Sequence, residues 1–301
     1  MFSVGLVGCG RWGNNHLNVL LKLFDEGVVQ RIAVCDVNPD QLSGLSVDAV
    51  YTHIDDLLAN ETLDAIALVT PPDSHLELLS QALDADLPVL VEKPLSDDHQ
   101  ATLDVLDALP KNAVISVGYL LRHHPGLKRI KSAIEDNAVS DIETVAYVRR
   151  TQREWPEGLD ALTTLAVHGL DTVSFLLDQP LMDMDVVFID RQPEAVLLRL
   201  ADAAGRMAIV DVAWGADDEI RTVAVQSPSV DASLDFGTGQ LVWRPKEDEE
   251  QDPVMEEYSG QALEEEWRAF LDMVKLGTPN ITPSVETLLD QSQWMNAHGR
   301  T

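Results

Sequence analysis

The tightest constraint on the fold of this chain lies in its first two dozen residues. Phe2-Ser3-Val4-Gly5-Leu6-Val7 is a short apolar run that reads as a buried strand, and Gly8-Cys9-Gly10-Arg11-Trp12-Gly13 follows without a gap. From Asn14 onward apolar residues recur at helical spacing, at Leu17, Leu20, Leu21 and Phe24. A strand, then G-x-G-x-x-G, then a helix is the context a dinucleotide site requires. Gly8 permits the tight turn, Gly10 lets the backbone approach a pyrophosphate, and Gly13 lets helix and strand pack closely. The helix start offers unpaired N–H groups and partial positive charge to the phosphates. Arg11 and Trp12, at the variable positions of the loop, join the glycines as cofactor-binding candidates. A second strand, Arg31–Cys35, ends in Asp36, 23 residues beyond Gly13. An acidic side chain there accepts hydrogen bonds from the adenosine ribose and repels a 2′-phosphate, which favours NAD over NADP. The plain alternative is a glycine turn in an unrelated α/β protein, and Asp36 at this spacing counts against it.

Strand-like and helix-like patterns alternate from Phe2 to Gly118, which predicts a parallel, doubly wound sheet. The buried strands of this half are Ala65–Val69, stopped by Thr70-Pro71-Pro72, then Val89–Val91 before Glu92-Lys93-Pro94, then Val114–Gly118. The pattern changes near Tyr119–Arg122. Helices are predicted over 125–136 and 163–177, and strands over 142–150, 186–189, 195–200, 207–214, 220–225 and 241–243. Short connections between these strands predict an open, largely antiparallel sheet. Lys246–Glu257 reads as an acidic, exposed loop, and helices over 263–276 and 285–298 close the chain. The predicted domains are 1–121, dinucleotide-binding, and 122–301, a second α/β domain.

The formal net charge of −30, from 51 acidic and 21 basic residues, argues against nucleic acid or an anionic membrane surface as partner. It fits a salt-rich cytoplasm, where ions screen the self-repulsion. No apolar run approaches the roughly 20 residues of a membrane span, and no secretory leader is predicted. Two cysteines, Cys9 and Cys35, form neither a disulfide framework nor a metal spacing, so a reduced, cytoplasmic setting is expected.

Three places carry candidate chemistry. Lys93 follows a buried strand, so it emerges at the carboxyl edge of the sheet, where ligands bind. A lysine near a cationic nicotinamide has its pKa drawn down, which suits proton transfer from an alcohol; a surface loop lysine is the alternative. His168 lies on an apolar helix and is either a general acid/base or a core histidine. Gly118–Pro125 lies at the domain junction, where a cleft would form; there Arg122 can clamp a phosphate or carboxylate. His123 and His124 have no carboxylate or cysteine at ligand spacing, so no metal is expected.

Taken in order, Gly8–Gly13, Asp36, Thr70-Pro71-Pro72-Asp73-Ser74-His75, Glu92-Lys93-Pro94, and His168 with Asp171 resemble the glucose–fructose oxidoreductase / inositol dehydrogenase (Gfo/Idh/MocA) family. The run Val117–Pro125 is similar to members of the UDP-N-acetylglucosamine 3-dehydrogenase type. The resemblance implies a Rossmann domain followed by an α/β domain whose open sheet joins chains into dimers or tetramers. It implies hydride transfer between a sugar hydroxyl carbon, here of a nucleotide-linked sugar, and the nicotinamide. Lys93 would act at the reacting hydroxyl, with Pro94 in a cis peptide, and His168 would be the second proton-transfer group. Thr70, His75 and Glu92 would line the cofactor; Tyr119, Arg122, His124 and Asp171 would meet the substrate. Many members carry an aspartate four residues before the histidine, where this chain has Thr164. Two alternatives stay open: a redox-neutral member that oxidises its sugar only transiently, and a non-catalytic dinucleotide sensor, which Thr164 supports and the intact Glu92-Lys93-Pro94 opposes.

Overall fold

The computed structural model describes residues 1–246, 252–258 and 261–299. The first half runs β1 (Phe2–Val7), α1 (Arg11–Asp25), β2 (Val29–Cys35), β3 (Ala49–Tyr51), α2 (Ile54–Asn60), β4 (Ala65–Leu68), α3 (Pro72–Asp84), β5 (Val89–Val91), α4 (His99–Asp107) and β6 (Val114–Val117). The chain continues through α5 (Pro125–Glu135), β7 (Thr144–Arg150) and α6 (Val167–Leu177). Seven strands follow: β8 (Asp185–Arg191), β9 (Ala195–Ala201), β10 (Met207–Ala213), β11 (Ile220–Gln226), β12 (Val230–Asp235), β13 (Gln240–Pro245) and β14 (Val254–Glu257). It closes with α7 (Ala262–Leu276), β15 (Asn280–Thr282) and α8 (Val285–His298). Among the described residues no helix is long and apolar enough to cross a membrane.

Packing divides the chain into two units, Met1–Tyr119 with Leu263–Ser292, and Leu120–Ala262 with the residues from Gln293 onward. The division expected at 121/122 falls close to the first crossing, but a single cut there gives Leu263–Ser292 to the wrong unit. The physical reason is a shared core. Trp267, Phe270 and Leu271 of α7 pack with Leu17, Leu20 and Leu23 of α1 and with Val4 and Leu6 of β1. β15 then adds in parallel to the edge strand β6.

In the first unit the strand order is β15-β6-β5-β4-β1-β2-β3, with each neighbouring pair parallel. β4 and β5 are fully buried along their length, as expected of strands covered on both faces. The winding reverses between β1 and β4, so the turns after these two strands open at the switch point where ligands bind in open α/β sheets.

In the second unit the order is β14-β13-β12-β11-β7-β10-β9-β8. Among the described residues only β7 and β10 run parallel there, and the remaining pairs are antiparallel. Val145, Tyr147, Leu198, Val210, Val223 and Leu234 face a core closed by α5 and α6. Gly169 lets α6 lie close: a Cβ there would stand 2.6 Å from the Tyr147 ring and 2.7 Å from Val210. The loop expected over Lys246–Glu257 is corrected at its end, where β14 pairs with β13; residues 247–251 lie outside the described set.

Candidate active site

The glycine loop is built as its spacing requires. Gly8 has φ +94°, and a Cβ there would stand 2.2 Å from the Val69 carbonyl oxygen. At Gly13 a Cβ would stand 2.0 Å from the Gly8 carbonyl oxygen, so only glycine lets α1 start this close to the turn. Gly10 differs: a Cβ there would meet nothing within 4 Å. Its bare backbone faces open space at the start of α1, where no side chain caps the helix and the first turn holds no acidic residue. Those amides and the helix dipole suit a pyrophosphate. Asp36 braces the loop, accepting from the Cys9 N–H at 2.7 Å and, through its other oxygen, from the Asn38 N–H at 2.8 Å. A carboxylate fixed this way keeps lone pairs for two ribose hydroxyls. These residues fit a bound dinucleotide. Burial pushes the neighbouring thiols up, Cys9 to about 12 and Cys35 to about 11, so both stay protonated.

Lys93 leaves the carboxyl end of β5 half-buried, and the Lys93–Pro94 peptide is cis. The turn is held from beneath. Glu92 accepts from the Lys93 N–H (3.1 Å), from Trp12 Nε1 (2.7 Å) and from His16 Nε2 (3.1 Å). Trp267 Nε1 donates to His16 Nδ1 at 3.1 Å, so Nδ1 is the bare nitrogen of the ring and Nε2–H donates to Glu92. Burial alone would raise the Glu92 carboxyl, but the His16 hydrogen bond, the Trp12 N–H and the Lys93 charge outweigh it and hold it below the usual range. Gly118 leaves room for that carboxylate, which a Cβ would meet at 2.9 Å. His75 is fully buried, with Nδ1 2.9 Å from the Pro94 carbonyl and Nε2 2.8 Å from that of Thr70. Expected at the cofactor, His75 and Glu92 are buried, and there they fasten the Lys93 turn to the ends of β4 and α1. Thr70 stays at the end of β4, half-buried, its hydroxyl accepting from Ser74 at 2.7 Å.

The remaining candidates belong to the second unit, apart from Tyr119, buried after β6. His168 is half-buried on the second residue of α6, directly after a π-helical turn over Leu162–Ala166. Such turns concentrate at functional sites. Thr164, within it, donates to the Asp160 carbonyl at 2.7 Å and accepts from Trp214 Nε1 at 3.3 Å. Arg122, expected to clamp a ligand's anion, clamps the chain's own Asp171: Nη2 lies 2.7 Å and Nε 3.0 Å from Oδ1, with the guanidinium 5.0 Å from the Phe175 ring centroid. His124, expected at the substrate, is buried and caps α5. Its Nδ1 accepts from the Gly126 N–H at the start of α5, and its ring stands edge-on to Phe236. Burial pushes the His124 imidazole down, and burial with the Lys128 and Arg122 charges takes His123 to about 4.

Sequence reasoning missed His16, Trp267 and Glu266. His16 recurs on the buried face of α1 with Gly13 and Leu20, a signal that only its partner Glu92 turns into a site. Glu266 is wholly buried with neither carboxyl oxygen hydrogen-bonded; burial and then the Glu92 charge raise it well above the usual range.

The likenesses to known proteins agree with this geometry. An inositol 2-dehydrogenase of Saccharopolyspora erythraea is 28% identical over 228 residues, covering 70% of this chain and 64% of that protein. One from Gluconacetobacter diazotrophicus is 26% identical over 203 residues, covering 64% and 60%. The chain thus spans about three fifths of the length of the curated relatives it matches. The crystal structure of KijD10, a 3-ketoreductase from Actinomadura kijaniata in complex with NADP and TDP-benzene, superposes with a TM-score of 0.80 at 17% identity, covering 98% of this chain and 96% of that one. That likeness shows a common fold. Residues 2–119, about two fifths of the chain, match the profile of the oxidoreductase family with an NAD-binding Rossmann fold, GFO_IDH_MocA.

Proposed function

We propose that the protein is an NAD-dependent oxidoreductase moving a hydride between a secondary hydroxyl carbon of a sugar, free or nucleotide-linked, and the nicotinamide. The observation that carries this reading is the Lys93 turn. A lysine at the carboxyl end of a parallel strand is fixed by Glu92 and His75 in the unit that holds the dinucleotide loop. Bound NAD supplies the hydride acceptor. Lys93 takes the hydroxyl proton as the hydride leaves, and a nearby cationic ring favours the neutral amine that this needs. His168 orients the hydroxyl or exchanges the proton, and Arg122 with Asp171 orders the substrate side. Asp36 supports NAD over NADP, since its carboxylate repels a 2′-phosphate. The inositol dehydrogenase relatives and the sugar ketoreductase neighbour support the polyol and sugar class.

A non-catalytic, dinucleotide-sensing reading is favoured by one observation: Thr164 is occupied by Asp160 and Trp214, and a hydroxyl cannot act as a carboxylate relay to His168. NADH accumulation separates the two. Self-association through the second sheet fits Val187, Phe188 and Ile189, which β8 leaves exposed.

Lys93→Met tests the main reading. Turnover should fall about 10²–10⁴-fold, while NAD affinity by fluorescence titration stays within about threefold. Turnover equal to wild type removes Lys93 from the chemistry.

A further inference from the structure

In a chain with 51 carboxylates, an arginine withdrawn from water without one needs a reason. Arg149 is such a residue. It continues the inward alternation of β7 after Val145 and Tyr147, which are 0% and 2% exposed, and is itself half-buried. Among the described residues it makes no hydrogen bond or ion pair. Its neighbour Arg150 behaves as a surface arginine should: it faces the other way and pairs with Asp211 at 2.7 Å.

The register sharpens the point. Arg149 stands directly opposite Arg221 of β11, on the same inward face as the pairs Tyr147–Val223 and Val145–Val225. Like charges directly opposite one another weaken a sheet. Arg221 is offset by Glu219, whose Oε1 accepts its Nε at 2.8 Å; Arg149 gains the influence of Tyr147 and of that carboxylate without a bond to either. Burial, with Arg221 and Arg153 nearby, disfavours the Arg149 charge. Beside the pair lie rings: Phe236, whose N–H bonds the Arg221 carbonyl, stands 6.3 Å from Tyr147 and 5.1 Å from His124 between centroids. Trp214, just past the carboxyl end of β10, reaches Thr164, so the turn that leads into His168 lies over this same end of the sheet. An uncompensated guanidinium, a second arginine and aromatic walls make a receptor for an anion carried on a ring-bearing molecule.

We propose that Arg149, with Arg221 across the strand, receives an anionic group of the substrate, a phosphoryl or carboxylate group. This rests on the reading of the protein as a sugar oxidoreductase and narrows its substrate class to acidic sugars. A nucleoside diphosphate and a sugar carboxylate share this chemistry, and the test separates them.

Titration calorimetry on the NAD-saturated protein compares UDP with uridine and glucuronate with glucose, while absorbance at 340 nm follows hydride transfer in parallel. Wild type should bind one anion at least tenfold more tightly than its neutral counterpart, and that pair identifies the source of the charge. Arg149→Gln and Arg149→Met should erase the preference, and Arg150→Gln should retain it. A wild type without preference overturns the inference, as does a preference that persists in both Arg149 variants. If NADH forms but no anion is preferred, the inference fails and the oxidoreductase reading stands. If Arg149 carries the preference but no sugar yields NADH, the anion site stands and the oxidoreductase reading fails.

Discussion

Replacing Glu266 with leucine should stabilise the protein, and more so as the pH rises. The side chain is wholly buried, its two oxygens accept no hydrogen bond, and the negative Glu92 stands beside it. Its folded-state pKa therefore lies well above the ordinary carboxylate value. At acid pH both folded and unfolded states hold the proton, and the group is neutral to the balance. As pH rises through the unfolded pKa, only the unfolded chain releases its proton, so stability falls by about 1.4 kcal/mol per pH unit until the folded pKa is reached. The unmade hydrogen bonds add about 1–3 kcal/mol at any pH. Leucine removes both penalties and introduces a shape mismatch of about 1 kcal/mol. The hydrogen-bond and shape terms together leave a gain of about 0–2 kcal/mol at acid pH, and the titration term adds to it toward neutrality; each kcal/mol is roughly 2–4 °C in Tm for a unit of this size. Thermal unfolding of both proteins from pH 5 to 9, at fixed molar KCl, should show a gap that widens with pH. A Glu266→Leu protein less stable than wild type at pH 8, or a gap that stays flat, refutes the reasoning.

Four further outcomes follow from the structure and the net charge. Gly10→Ala, whose Cβ meets nothing in the protein, should keep Tm within about 1 °C yet weaken NAD binding at least about tenfold, because the pyrophosphate needs that space. Gly13→Ala, by contrast, should lower Tm as well, since its Cβ would stand 2.0 Å from a backbone oxygen; calorimetry and NAD titration on the pair check both. Asp36→Ser should raise the NADP-to-NAD affinity ratio at least about tenfold by removing the charge that faces a 2′-phosphate, read by competitive titration. With a net charge of −30, Tm should rise between dilute buffer and molar KCl, where the screening length falls to about 3 Å; an unchanged Tm removes the salt-adapted reading.

The parts legible in the sequence were those encoded locally. The glycine loop, Asp36 and the Lys93 turn each declare themselves within a few residues, because turn geometry and strand ends are short-range properties. What the sequence withheld depends on partners far along the chain. The period of 263–276 announces a helix but not that Trp267 reaches His16, about 250 residues away. Arg122 and Asp171 were both recognised, yet nothing local says that each is the other's partner. β12 alternates cleanly in Val230-Asp231-Ala232-Ser233-Leu234-Asp235, but aspartate, alanine and serine are weak strand formers, and only pairing with β11 and β13 makes the strand. Arg149 and Arg150 are adjacent in the sequence, and only register puts Arg149 on the inward face opposite Arg221.

The most direct test of the central claim is absorbance at 340 nm with purified protein, NAD and a panel of free and UDP-linked sugars in molar KCl. The account predicts NADH with at least one sugar class, lost in Lys93→Met. Demonstrable NAD binding with no NADH from any sugar contradicts it.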